Sequence, residues 1–373
     1  MRIGIPKEIK TNENRVAATP ATIAAFAAAG HEVFVETGAG TGSGISDGEY
    51  RECGANILPD AASVWTSAEM IMKVKEPLPA EFPYLRPDLI LFTYLHLAPE
   101  NALASALLRN QVISIGYETV QLDSGALPLL EPMSEVAGKM AIQIGAHFLA
   151  RHNGSGAGIL LGGVPGVMAG SIVIIGGGVV GANAAKIASG LGARVTLLDI
   201  KIDRLRYLDD IFGGRVMTCA ANPNTIAKAV QAADLVVGAV LIPGAKAPTL
   251  VTEKMVQSMK PGSVIIDVAI DQGGCIATMD RATTHTDPVF EKYGVLHYAV
   301  SNMPGAVPRT STFALTNVTQ VYALQLAAKG WKTAARENAA LARGFNTVQG
   351  KCTCKGVALA QNLAYTPIED MLR

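Results

Sequence analysis

The chain has 373 residues, 49% of them hydrophobic and 17% charged, with 31 basic side chains against 31 acidic ones. That composition excludes intrinsic disorder, offers no basic field for nucleic acid and, at about 150 residues per domain, predicts two domains. Glycine is in excess, 38 residues where roughly 7% of a chain is usual.

Short β-rich runs alternate with helical stretches through the first third of the chain. Strands are expected at 3–5, 32–36, 70–75, 89–94 and 112–115, with a helix at 20–29 stopped by Gly30. This rhythm predicts parallel strands with crossover helices. From Glu131 the pattern lengthens. Pro132 suits a first helical turn, and Met133, Val136, Met140, Ile144 and Phe148 recur at helical spacing, so a long helix is expected to link two domains.

A second α/β unit follows, with strands expected at 172–175, 195–199, 235–237, 264–267 and 296–300. A helix at 311–329 then ends at Gly330. If that helix returns the chain to the first domain, the first domain is discontinuous. The fold class read from this pattern is α/β: two Rossmann-like doubly wound parallel-sheet domains joined by long helices. A substrate domain of residues 1–130 and 307–373 then flanks a dinucleotide-binding domain of residues 131–306.

Residues 153–185 carry no charge and mimic a membrane span by length, but their eleven glycines and Pro165 point to a buried strand and turn instead. The amino terminus has no apolar stretch of signal-peptide length. Five scattered cysteines, with Cys352 and Cys354 lacking a second pair or nearby histidines, argue against a disulfide framework and against a metal site. A cytoplasmic protein is expected, without membrane or nucleic-acid partners.

The sharpest local pattern is the apolar run 172–175 followed by Gly176-Gly177-Gly178-Val179-Val180-Gly181, a helical stretch, and a second strand ending in Asp199. In a dinucleotide fold Gly176 makes the tight turn, Gly178 lets backbone approach the pyrophosphate, and Gly181 allows close helix–strand packing. The cofactor is expected on Gly176, Gly178, Val180 and Gly181, with the helix N-terminus stabilising phosphate. Asp199 would accept from the ribose hydroxyls and repel a 2′-phosphate, favouring NAD over NADP. Arg204 complicates this: it is either an attractor of that phosphate, a solvated helix charge, or a contact to the adenine side.

Four polar residues at strand ends and in loops are candidates for the substrate side. Arg15 follows the first strand and Lys75 ends the strand expected over 70–75. Each alone reads as a surface cation, but a guanidinium and an ammonium together suit a small carboxylate. His96 follows the run 89–95 at the carboxyl end of an expected parallel strand, and is either a half-buried structural histidine or a general acid/base. Asp271 precedes paired glycines, where it caps a turn or faces the nicotinamide. Tyr94, Leu130 and Met133 are candidates for a methyl pocket or for ordinary core.

These segments together resemble the L-alanine dehydrogenase family, within the larger group that includes the NAD-binding subunit of proton-translocating transhydrogenase. The resemblance is carried by Gly4-Ile5-Pro6-Lys7-Glu8, Glu13-Asn14-Arg15-Val16-Ala17, Lys73-Val74-Lys75-Glu76-Pro77 and Leu95-His96-Leu97. It continues through Pro132-Met133-Ser134-Glu135-Val136-Ala137-Gly138, Gly162-Gly163-Val164-Pro165-Gly166-Val167, Pro243-Gly244-Ala245-Lys246-Ala247-Pro248 and Asp271-Gln272-Gly273-Gly274. It implies reversible NAD-dependent oxidation of L-alanine to pyruvate and ammonium by a homohexamer. By the same resemblance, Arg15 and Lys75 hold the substrate carboxylate, His96 moves protons, and Asp271 assists water attack at the imine stage. Ser134, Asp199, Arg204, Val240, Leu241, Val300, Asn302 and Met303 match cofactor contacts. One departure is visible: Cys219-Ala220-Ala221 stands where relatives can carry a serine near the adenosine.

Three other readings share parts of this pattern. A soluble transhydrogenase subunit needs no group to protonate an amino acid, an NAD-sensing module needs no carboxylate-binding pair, and a saccharopine-type dehydrogenase uses similar architecture on another amino acid.

Overall fold

The computed structural model describes residues 1–151, 155–240, 247–270 and 273–373. The chain divides into two compact units, Met1–Met133 with Gly305–Arg373, and Ser134–Pro304. The first stretch lays down β1 (Arg2–Ile5), β2 (Glu32–Glu36), β3 (Ala55–Leu58), β4 (Met70–Met72), β5 (Ile90–Thr93) and β6 (Ile113–Gly116). The second unit contains β7 (Ser171–Ile175), β8 (Arg194–Asp199), β9 (Val216–Ala220), β10 (Leu235–Gly238), β11 (Val264–Asp267), β12 (Val289–Lys292) and β13 (Val295–Tyr298). After the chain returns to the first unit it adds β14 (Phe345–Val348) and β15 (Lys351–Cys352).

The first unit has an eight-stranded sheet in the order β15-β14-β6-β5-β4-β1-β2-β3, and the second a seven-stranded sheet in the order β12-β13-β11-β10-β7-β8-β9. In each, the chain begins mid-sheet, runs to one edge, then returns to build the other half. The crevice of such a sheet opens at the carboxyl ends of the two strands where direction reverses, here β1 beside β4 and β7 beside β10. The central strands are continuous apolar runs, fully buried in β4, β5, β10 and β11, because helices cover both faces. The parallel expectation holds for the interior, while β12, β14 and β15 join their neighbours antiparallel.

Three differences from the sequence reading have local causes. The strand expected over 70–75 stops at Met72: the Lys73 N–H still donates to the Phe92 carbonyl at 3.2 Å, but the Val74 N–H turns to the Glu8 carboxylate. The strands β3 and β9, at sheet edges, each bury only their first residue fully and so lack a continuous buried apolar run. Within the glycine-rich stretch, β7 is buried as expected, but the loop before it is not: Leu160, Val164, Val167 and Met168 are exposed, and Met168 keeps 74% of its surface.

The helix Glu131–Leu149 begins near Pro132 as expected, and the boundary between the units falls inside it. The helical segment Pro308–Glu337 belongs to the first unit and is broken at Gly330, whose φ of +69° ends the regular backbone where the sequence predicted a stop. Among the described residues no helix is long and apolar enough to cross a membrane.

Candidate functional site

In the second unit the turn after β7 has the geometry a dinucleotide requires. Gly176 has φ +104°, and a side chain there would meet the Ala239 carbonyl at 2.6 Å, across the β7–β10 crevice. Gly181 is tighter still: an added Cβ would lie 1.8 Å from the Gly176 oxygen. Gly178 begins the helix Val179–Gly190 with no side-chain cap and with open space where a Cβ would point. The first N–H groups of that helix thus have no side-chain cap at Gly178, and such a helix start suits a phosphate.

Asp199 and Arg204 both fasten Gly177. The Gly177 N–H donates to Asp199 Oδ2 at 2.7 Å, while Arg204 Nε donates to the Gly177 carbonyl at 2.6 Å and lies over the Tyr207 ring. Asp199 Oδ1 also accepts from Lys201 N–H. Half-buried Asp199 thus sits at the end of β8 beside the glycine turn, where ribose hydroxyls are read. Arg204 thus braces the turn, a role that none of the three readings of its sequence position named.

The remaining cofactor candidates lie around the same sheet. Ser134 is one turn before Gly138 on the helix Glu131–Leu149, and an added Cβ at Gly138 would meet the Val180 carbonyl at 2.2 Å, so their shared face packs on the glycine turn. Val240 follows β10 and packs on the core. Val300 and Met303 are buried beyond β13, and Asn302 between them has φ +62°. Leu241 and Asp271 lie outside the described residues, as does the motif portion 243–246.

The described residues on either side of 271–272 are tied together by a residue that the sequence reading passed over. Asp267, buried at the carboxyl end of β11, accepts from the N–H groups of Ala269, Cys275 and Ile276 at 3.0, 2.8 and 3.2 Å. Burial raises its carboxyl above the ordinary range despite those bonds.

In the first unit Arg15, Lys75 and His96 fall in the loops after β1, β4 and β5, at and beside the crevice. Arg15 is buried. Its Nε and Nη2 donate to Glu13 at 2.7 and 2.6 Å, and Nη1 donates to the Met133 sulfur at 3.1 Å. Burial opposes its charge, but Glu13 more than offsets this and keeps the guanidinium firmly protonated.

Lys75 is placed through Glu8, whose Oε1 accepts from the N–H groups of Val74 and Lys75 at 2.6 and 3.3 Å. Glu8 Oε2 takes the buried Lys73 ammonium at 3.0 Å, and Glu81 takes it from the other side at 2.9 Å. Burial alone would depress the Lys73 ammonium, yet the two carboxylates hold it above the usual lysine range. His96 is exposed, with its ring nearly parallel to that of Tyr94 at 5.9 Å between centroids. Tyr94 is buried and donates to the Leu129 carbonyl at 2.6 Å, so the phenol is anchored in the core.

The sequence reading found the cations and missed the acids that set them. Glu8, Glu13 and Glu81 sit within or beside the motifs already singled out, but only Glu13, two residues from Arg15, carries a local sign of its pair; the acid within the run 73–76, Glu76, pairs with Lys10 instead. Among the described residues no three side chains of metal-ligating type cluster.

Family models described as alanine dehydrogenase/PNT match this chain over residues 4–137, for the N-terminal domain, and 141–355, for the C-terminal domain. An alanine dehydrogenase of Methanococcus maripaludis is 62% identical over 372 residues, covering the whole of both chains. Among solved structures, an L-alanine dehydrogenase superposes with a TM-score of 0.93 at 50% identity, over 96% of this chain and 99% of that one. A transhydrogenase from Sinorhizobium meliloti gives a TM-score of 0.80 at 25% identity, over 95% and 99%.

Proposed function

Because the chain belongs to the alanine dehydrogenase/PNT family, we propose that it catalyses the reversible NAD-dependent oxidative deamination of L-alanine to pyruvate and ammonium. It is an oxidoreductase with a small-molecule substrate. The observation that carries the reading is the set of three side chains, Arg15, Lys75 and His96, in the loops at one end of a doubly wound sheet. Two cations there suit a carboxylate, and a histidine suits proton transfer.

The chain's own groups divide the work. Arg15 and Lys75 receive the substrate carboxylate; Glu13 holds the guanidinium rigid, and the Met133 thioether is a weak acceptor that a carboxylate displaces. His96 takes a proton from the substrate ammonium, leaving an amine whose lone pair assists loss of hydride from the α-carbon. NAD, bound at the glycine turn through Gly176, Gly178, Val180, Gly181 and Asp199, supplies the hydride acceptor.

The oxidised substrate is a cationic iminium. Asp271 stabilises that charge and assists attack by water, whose proton passes to His96 once its first has gone to solvent. His96 then protonates nitrogen, and as the carbon–nitrogen bond breaks the hydroxyl left by water gives its proton to solvent, releasing pyruvate and ammonia, which takes up a proton in water. One proton is released overall, so alkaline solution favours the forward direction. A cytoplasmic homohexamer belongs to this reading, and light scattering separates it from a monomer.

The test is NADH formation from NAD at alkaline pH with L-alanine, using glycine and saccharopine as comparators. L-Alanine is expected to exceed both, and no alanine-dependent NADH would overturn the reading in favour of a transhydrogenase-type subunit. His96→Ala should keep its affinity for NADH and lose about 10²–10⁴-fold in kcat. Near-normal turnover would remove His96 from proton transfer.

A further inference from the structure

His96 occupies an unfavourable piece of backbone. Its φ is +47°, in the left-handed region that a residue with a Cβ rarely adopts, and it stands exposed between the buried residues Leu95 and Leu97. Strain of this kind persists only where surrounding structure over-determines it. Here a single carboxylate does so. Glu118 Oε1 accepts from the His96 N–H at 2.6 Å, and the Leu95 N–H reaches both carboxylate oxygens, at 3.1 and 3.2 Å. Bonds from successive amides to one ionised acceptor are of the stronger, charge-assisted kind. With the turn so held, the imidazole lies 13° from the plane of the Tyr94 ring, which is anchored through its own hydroxyl.

Glu118 is fixed in its turn. It lies on the 3₁₀ helix Tyr117–Thr119 that follows β6, beside Thr119, whose hydroxyl donates to the Gly116 and Gly344 carbonyls. The Asn346 amide donates to the same Thr119 oxygen at 2.8 Å and to the Gly344 carbonyl at 2.9 Å. Asn346 is on β14, which pairs with β6 from the far end of the chain. The carboxyl-terminal segment therefore supports the His96 turn through Thr119 and Glu118.

Resting on the reading of His96 as the proton carrier, we propose that Glu118 is a positioning residue for the reaction: its carboxylate holds the left-handed turn that presents His96 to substrate. Displacing a catalytic group by about 1 Å can cost ~10²-fold in rate. Glu118→Ala should therefore lower kcat by about that factor, with NADH affinity unchanged. Glu118→Gln keeps an oxygen that accepts both amides, so it should recover most of the loss. A structural role alone would give neither the rescue nor the unchanged cofactor affinity.

A spectroscopic measurement separates this proposal from the one beneath it. With histidine ring carbons labelled, the six histidines give resolvable signals, and His96, assigned by its loss in His96→Gln, should carry a ring-current shift from Tyr94. Glu118→Ala should abolish that shift and Glu118→Gln should retain it. An unchanged His96 signal in Glu118→Ala overturns the positioning role and leaves the role of His96 standing. A displaced signal with normal kcat overturns both, since the position of His96 would then not matter to turnover. A fall in kcat that Glu118→Gln fails to recover, or that comes with weakened NADH binding, also overturns the positioning role.

Discussion

The two sheets share the order of their first five strands and differ in the segment that leaves the first of them. Behind β7 only residues 176–178 precede the next helix, and that helix begins on a glycine with no side-chain cap. Behind β1 the chain runs through residues 6–19 before the helix Pro20–Ala28, whose first turn is closed by the Thr19 hydroxyl. The second unit therefore offers backbone N–H groups to an anion, and the first offers side-chain charge instead. One topology produces two crevices, and their contents decide what each can bind. A backbone cradle suits a diphosphate, whatever is attached to it. Fixed side-chain cations suit a small carboxylate, but they require buried acids such as Glu8 and Glu13 to hold them in place.

The contrast predicts different modes of failure. Gly181→Ala puts a Cβ where the Gly176 carbonyl already lies, so the turn must open. Fluorescence titration should show NADH affinity lower by more than about 100-fold. Near-normal binding would mean that the turn does not hold the cofactor.

In the first unit the corresponding weakness is the buried ion triad. Lys73→Met leaves Glu8 and Glu81 buried without their cation, and loss of one partner from such a group typically costs about 3–5 kcal/mol. Urea unfolding should report a loss of that size; a change under about 1 kcal/mol would show that the carboxylates find water or protons easily.

A smaller effect is expected at Asp199. Asp199→Ala should weaken NADH about tenfold, the worth of a hydrogen bond to a charged group, and narrow the preference over NADPH. Equal affinities before and after the change would sink the assignment.

The mildest test uses pH. Burial pushes the phenols of Tyr50, Tyr94 and Tyr117 in the first unit well up, and that of Tyr298 in the second up to about 12. The folded chain keeps these protons above pH 10, the ordinary phenol value, while the unfolded chain loses them. Stability is therefore full below pH 10 and falls as pH rises toward the folded values, by at most ~1.4 kcal/mol per pH unit for each phenol. Urea midpoints taken across that range should fall less steeply in Tyr50→Phe, and an unchanged slope would remove Tyr50 from the effect.

Much of the molecule was legible in one dimension because the signals are local. Apolar runs of strand length, a helix stopped by Gly30 or Gly330, and a strand–glycine–helix–strand–acid series each lie within a few tens of residues. Periodicity and turn chemistry act at that range, so they determined two α/β units, a dinucleotide turn at 176–181, and Arg15, Lys75 and His96 as strand-end candidates. The apolar loop at 160–168 misled, since composition records hydrophobicity but not what covers it.

Only the tertiary structure decided how the candidates are held. Glu8 reaches Val74 and Lys75 across 66 and 67 residues, and Thr119 meets Asn346 across 227. Such pairings leave no periodic trace, because a buried carboxylate and a solvated one look alike in sequence. The chain alone identified which groups carry charge. Burial, the left-handed turn at His96 and the partners of each ion, set by contacts between distant segments, determined what those charges can do.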